Sequence, residues 1–128
     1  MYRTDLADVA AVGVSVSCLA HCLAVPLLLV AAPWVVPEFF EDERFHVFAV
    51  LAAIPLSALA LARSFRARPI LPVLAVAAVV VLIAATQAPS EEIERGMTVV
   101  GACLLAGVHF FNLRWRRAER HTAALEIG

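Results

Sequence analysis

Charged side chains are confined to short intervals of this chain, and between them run four uncharged, strongly apolar windows, residues 9–37, 45–62, 69–90 and 96–113. Each is near or above the ~20 residues with which an α-helix crosses the hydrocarbon of a bilayer. A water-soluble fold is excluded: with 62% hydrophobic residues among 128 and a mean hydropathy of +0.88, so small a globule could not hide that much apolar surface. The windows predict an all-α integral membrane protein, a single domain over residues 1–128. Its transmembrane helices are expected at about 9–33, 43–64, 69–88 and 91–116, packed as a four-helix bundle, with residues 117–128 as a cytoplasmic tail. The first window is too long for the ~7–15-residue apolar core of a signal peptide, and it follows Asp5 and Asp8 rather than a basic leader. It is expected to stay on the mature protein.

Charge placement predicts orientation. Arg63, Arg66 and Arg68 fill the second connection, and Arg114, Arg116, Arg117 and Arg120 follow the fourth window. The first connection carries Glu38, Glu41, Asp42 and Glu43, and the third carries Glu91, Glu92 and Glu94. Because Lys and Arg are retained on the cytoplasmic side, both termini are expected to be cytoplasmic. Arg3 agrees, whereas Arg44 and Arg95 are a minority outside. The net charge of -1 hides this polarity, and nothing in the chain resembles a nucleic-acid-binding signature. Ser90 before Glu91 and Glu92 suits an N-cap with an acidic first turn, and Asp42 with Glu43 could serve the second helix in the same way. Trp34 and Trp115 suit the two interfacial belts. Small residues at helical spacing would let helices approach closely: Ala49, Ala53 and Ser57, Gly13 and Ser17, and Ala102 and Ala106. Helix one is expected at the centre.

The chemistry concentrates in the first window, in Cys18-Leu19-Ala20-His21-Cys22. Residues at i, i+3 and i+4 share a helix face with ~5–6 Å between Cβ atoms, so Cys18, His21 and Cys22 could converge on one ion. An intrahelical disulfide needs Cβ atoms only ~3.5–4.5 Å apart and is not expected. Thiolates select soft ions such as Cu(I) and suit Zn(II), and imidazole suits Zn, Cu and Fe. Hg(II) belongs with the soft group by the same argument. Pro26 offers no N–H to residue i-4, which would free the carbonyl of Cys22, and Pro55 would do the same for Leu51. Pro69 and Pro72 fall in the first turn of helix three, where proline is tolerated. With ~1.5 Å of rise per residue, Cys103 is expected near the level of Cys22, His109 closer to that of Cys18, and His46 at the outer mouth. Together they would form a file from outside to inside. His46, Cys103 and His109 are therefore further candidate ligands.

These residues resemble a known family. The element Cys18-x-x-His21-Cys22 with Pro26 after it, His46 opening helix two, the arginine-rich turn that follows, and His109 with Asn112 late in helix four are similar to the MerC-domain membrane proteins, over residues 11–116. The resemblance implies a protein of the bacterial inner membrane that moves mercuric ion, with a cysteine pair in helix one as its ligands. The family pattern is Cys-x-x-Cys, so Cys18 and His21 hold the matching positions here and Cys22 follows. The family's tail cysteines are lacking.

Each candidate also has a plainer reading. Cys103 could be a small apolar filler, His109 and Asn112 could hydrogen-bond between helices, and His46 could face water at the interface; His121, in the tail, is expected to be solvated. Three classes of function fit. The chain could carry a thiophilic cation (Hg(II), Cu(I) or Zn(II)) by exchange between thiolates. It could be a metal- or haem-binding membrane protein that senses, stores or transfers electrons through His21, His46 and His109. Or it could be a structural assembly protein. Membrane lipid and a metal ion are the expected partners, and a homo-oligomer or a periplasmic or cytoplasmic metal carrier is compatible with them. An enzyme is not expected, since no Ser-His-Asp pattern, phosphate loop or intramembrane carboxylate is recognisable.

Overall fold

Long apolar runs in a bilayer must satisfy their own backbone groups, and they do so here as helices. The computed structural model describes residues 2–32, 34, 44–62 and 64–127. Among these lie α1 (Tyr2–Ala31), α2 (Arg44–Leu61), the single turn α3 (Ser64–Ala67), α4 (Ile70–Ala85) and α5 (Glu91–Ile127). No strand occurs among the described residues. Three stretches, Asp5–Val25, Arg44–Leu61 and Glu91–Leu125, are long and apolar enough to cross a membrane. Helix α4 is apolar but shorter, at 16 residues, or ~24 Å.

Two helices overrun their apolar windows. Helix α1 begins at Tyr2 rather than near residue 9, because Asp5 and Asp8 are partnered inside the fold and do not end the helix. Helix α5 runs 37 residues, ~55 Å, so the expected tail is a continuation of that same helix. Residues 113–127 hold good helix formers and no Gly or Pro. Ion pairs tie this extension back, among them Arg120 and Arg116 to Asp5 and Arg68 to Glu119. The Arg68 guanidinium also lies 4.2 Å over the Trp115 ring. The start of α5 is capped as its sequence suggests, with the Ile93 N–H 3.4 Å from Ser90 Oγ. Pro69 is the N-cap of α4, Pro72 is buried in its first turn, and Pro55 sits within α2. Helix α1 continues past position 26 to Ala31, while the surroundings of the Pro26 side chain, and the expectations placed on residues 38–43 and Arg63, lie outside the described residues.

Helix α5, not α1, holds the centre: it packs along α1 on one side and α4 on the other, and α2 closes against α1 and α4. Val50, Ala53, Leu61, Ala75, Leu82 and Leu105 are among the core residues. Helices α4 and α5 come close at Gly101, where an added Cβ would stand 2.8 Å from Leu82 Cγ and force that side chain to shift. Many other apolar side chains point outward, with Leu27, Val30, Phe48, Val73 and Val76 all exposed. Helices that are apolar on every side are what a lipid solvent requires.

Candidate metal centre

At the end of the molecule where α5 begins, α1 presents His21 and Cys22 to the first turn of α2. The ligand atoms of His21, Cys22 and His46 all lie within 4.8 Å of one another. Cys22 Sγ is 3.2 Å from His46 Nε2. The His21 ring stacks on Phe45 with centroids 4.3 Å apart and meets His46 edge-on at 5.1 Å. An ion bound at ~2.3 Å to sulfur and ~2.0–2.1 Å to nitrogen holds its ligand atoms up to ~4.4 Å apart, so a small side-chain adjustment closes the set on one cation. Cys22 is buried, and His21 and His46 are half-buried.

Helix α5 adds a residue that the sequence reading missed. Glu94 Oε1 lies 3.2 Å from His46 Nδ1. The contact is at ion-pair distance and stands on the side of the ring opposite the nitrogen that faces Cys22. Metal-binding histidines commonly have a carboxylate behind the ring in this way. Glu94 had been read only as a loop acid; its position four residues after Ser90, in the first turn at the same end as His46, was the available signal.

The other candidates lie elsewhere. Cys18 is buried one turn below Cys22 and lines an interior cavity of about 10 Å³ with Ser15, His46, Ala53, Thr98 and Leu105, room for about one water. Cys103 is exposed on the outer surface of α5, and all three thiols are free. His109 does not lie near the level of Cys18. It joins Asp8, 10 residues before Cys18 and so ~15 Å away along the helix axis, because α1 and α5 run antiparallel from a shared end at Glu94.

That pairing overturns the expectation that no carboxylate would be buried in a span. Asp8 is fully buried and lies within the apolar stretch Asp5–Val25. Its Oδ1 is 2.8 Å from His109 Nδ1, the Asn112 amide donates to Oδ1 and Oδ2 at 3.1 and 2.9 Å, and Arg116 Nη1 reaches Oδ2 at 3.3 Å. Ser57 Oγ is 2.9 Å from His109 Nε2, and Ser64 Oγ donates to Asn112 Oδ1 at 2.5 Å. A Ser–His–Asp array is thus assembled from three helices.

An all-helical chain with three helices fit to cross a bilayer and a mixed thiol–imidazole cluster at one end is a multi-pass membrane protein with a candidate soft-cation site. More particularly, the chain belongs to the MerC mercury resistance protein family, whose pattern matches residues 8–114. The matched region opens on Asp8 and takes in the whole Cys/His cluster, Glu94 and His109. No curated protein and no solved structure matches the chain.

Proposed function

We propose that this protein is a carrier, not an enzyme, that binds a thiophilic cation, Hg(II) first among them, and passes it across the bacterial inner membrane. Cys22, His46 and His21 are the entry ligands, and Cys18 is the next thiol inward. The observation that carries the reading is the convergence of those three ligand atoms within 4.8 Å, from helices that a lipid solvent gives no hydrophobic reason to associate. Family membership supports mercury as the cargo. The orientation follows from charge: four crossings, α4 included, leave both termini and the arginine-rich end cytoplasmic, so the cluster faces outward. One thiol with two imidazoles also suits Zn(II) and copper, which makes the ion an experimental question. Partners able to hand over or accept such an ion, and a second copy of the chain, belong to the same proposal.

Static binding without net movement is favoured by one observation, the closed interior below Cys18, where only about 10 Å³ is open. Metal analysis of detergent-purified protein and uptake into cells separate the two. Binding of Hg(II) or Zn(II) that is lost in Cys22→Ala and His46→Ala, with uptake lost in the same variants, supports the carrier. Binding without uptake leaves a static site, and stoichiometric binding that survives both substitutions sinks the assignment.

A further inference from the structure

On the outer side of the α2–α4 pair runs a groove of about 270 Å³ that the packing of the helices leaves open. Its floor is Ser57, Leu61 and Ala75, all buried, and Ile54, Phe65 and Val80 stand exposed along its rim. The groove exists because facing positions are small: Ala58 and Ala75 take up little of the space that the larger side chains around them enclose. Its side chains offer hydrocarbon and a single hydroxyl. That hydroxyl, Ser57 Oγ, is engaged with His109 Nε2 at 2.9 Å. An acyl chain fits such a groove, and so would the apolar side of another helix.

Depth separates these two occupants. The groove runs from Leu61 back to Ile54 on α2 and from Pro72 to Val80 on α4, ~10 and ~12 Å of helix rise. It starts at the arginine-rich end, beside Phe65 of α3, takes the last two turns of α2 and stops short of the end of α4 at Ala85. One leaflet makes up ~15 Å of a hydrocarbon core ~30 Å thick. The groove therefore serves one leaflet, which suits an acyl chain, whereas a helix from a second copy would cross both leaflets and be held over part of its length only.

The charge beside Phe65 indicates the head of that lipid. Arg66 follows it on α3 and is exposed. Nearby arginines are engaged, Arg68 with Glu119 and the Trp115 ring, and Arg116 and Arg120 with Asp5. Among the described residues, none forms an ion pair with Arg66. Helix α4, with 16 residues, rises ~24 Å, and a span shorter than the hydrocarbon core thins the bilayer around it. That draws the headgroup layer toward α3. Basic positions at clefts between membrane helices recognise anionic headgroups.

We propose that the α2–α4 groove binds one anionic phospholipid of the leaflet at the arginine-rich end, with an acyl chain along Leu61 and Ala75 and the headgroup phosphate on Arg66. The site is separate from the cation cluster, which His46 places at the other end of α2. A lipid seated there bridges α2 to α4.

The test is native mass spectrometry of the full-length protein released from detergent, with phosphatidylglycerol and phosphatidylcholine of identical chains competing as probes. The wild type is expected to retain one phosphatidylglycerol in preference to phosphatidylcholine. Arg66→Gln should lower that preference about fivefold, the worth of one arginine near an anionic surface. Arg114→Gln, which removes an equal charge from the same end on α5, should leave it within about twofold. Ala58→Leu, at an exposed position of α2, fills the groove and should weaken binding of both lipids. Equal losses in Arg66→Gln and Arg114→Gln, or lipid binding untouched by Ala58→Leu, overturn the proposal. So does a wild-type dimer that Ala58→Leu abolishes, which would give the groove to a second copy. Should Ala58→Leu not fold, Val76→Trp decides, since Val76 is exposed in the groove: brominated phosphatidylglycerol should quench the added fluorescence more than brominated phosphatidylcholine at equal mole fraction, and equal quenching refutes the site.

Discussion

Changing Glu94 to Gln keeps the shape of the side chain and removes only the negative charge, so the effect on metal binding isolates what the carboxylate charge contributes through the ring. Glu94 Oε1 is 3.2 Å from Nδ1, and a cation on Nε2 would lie about 7 Å from that oxygen with the imidazole between them. For a divalent ion at an effective dielectric constant of ~20, the attraction is ~4–5 kcal/mol. That is an upper figure, since the Glu94 side chain is 19% exposed and solvent screens it. Carboxylates placed behind metal-binding histidines are worth 10–100-fold in affinity, or ~1.4–2.7 kcal/mol, and Glu94→Gln is expected in this range. The assay is a competition titration of detergent-solubilised protein with Zn(II) against a chromophoric chelator, with far-UV circular dichroism to confirm that helix content is unchanged. Glu94→Asp, one methylene shorter, should fall between Gln and wild type. If Glu94→Gln binds within twofold of wild type while His46→Ala loses binding, the carboxylate is a surface ion pair and the orienting role is refuted.

Asp8→Ala removes the acceptor for His109, Asn112 and Arg116 and leaves the fully buried donors of His109 and Asn112 without it, a loss of ~1–3 kcal/mol for each; thermal unfolding followed by circular dichroism should show a much smaller change for Asp5→Ala, whose partners lie nearer the surface. Cys103→Ser, on the exposed side of α5, should leave Zn(II) affinity within about twofold of wild type, whereas Cys22→Ser should weaken it at least tenfold; equal losses would place Cys103 in the site. Gly101→Ala should destabilise by ~1–3 kcal/mol through overpacking against Leu82, and adding Leu82→Ala should recover part of that loss in the same unfolding assay, which it would not do if α4 and α5 were not in contact there.

The helices were legible in the sequence because apolar run length is a strong signal when lipid is the solvent, and the place of the candidate site was legible because two thiols and an imidazole in such a run are unusual. Boundaries and partners were not. Reading charge as the end of a span discarded Asp8, whose acceptors are satisfied by residues about a hundred positions away in α5. It also made Glu94 a loop acid when it belongs to the His46 pair. The face shared by Cys18, His21 and Cys22 gave no indication that α2 would bring His46 to its upper part, joining His21 and Cys22 and leaving Cys18 beside the cavity. Each error concerns the register between helices, and apolar surfaces in lipid do not set register, because a slipped pair buries about as much as a correct one. Here the two polar centres supply it. Cys22 lies 14 residues beyond Asp8 on α1, and His109 lies 15 beyond Glu94 on α5, ~21 and ~22 Å along the two axes. The antiparallel pair can therefore satisfy Asp8–His109 and Cys22–His46–Glu94 together only in one register, since a slip of a single turn leaves a buried carboxylate at one end and a buried imidazole at the other without its partner. The groups that would bind the cation are thus among those that hold α1 and α5 in place, which is why a conservative substitution such as Glu94→Gln separates chemistry from folding better than alanine does.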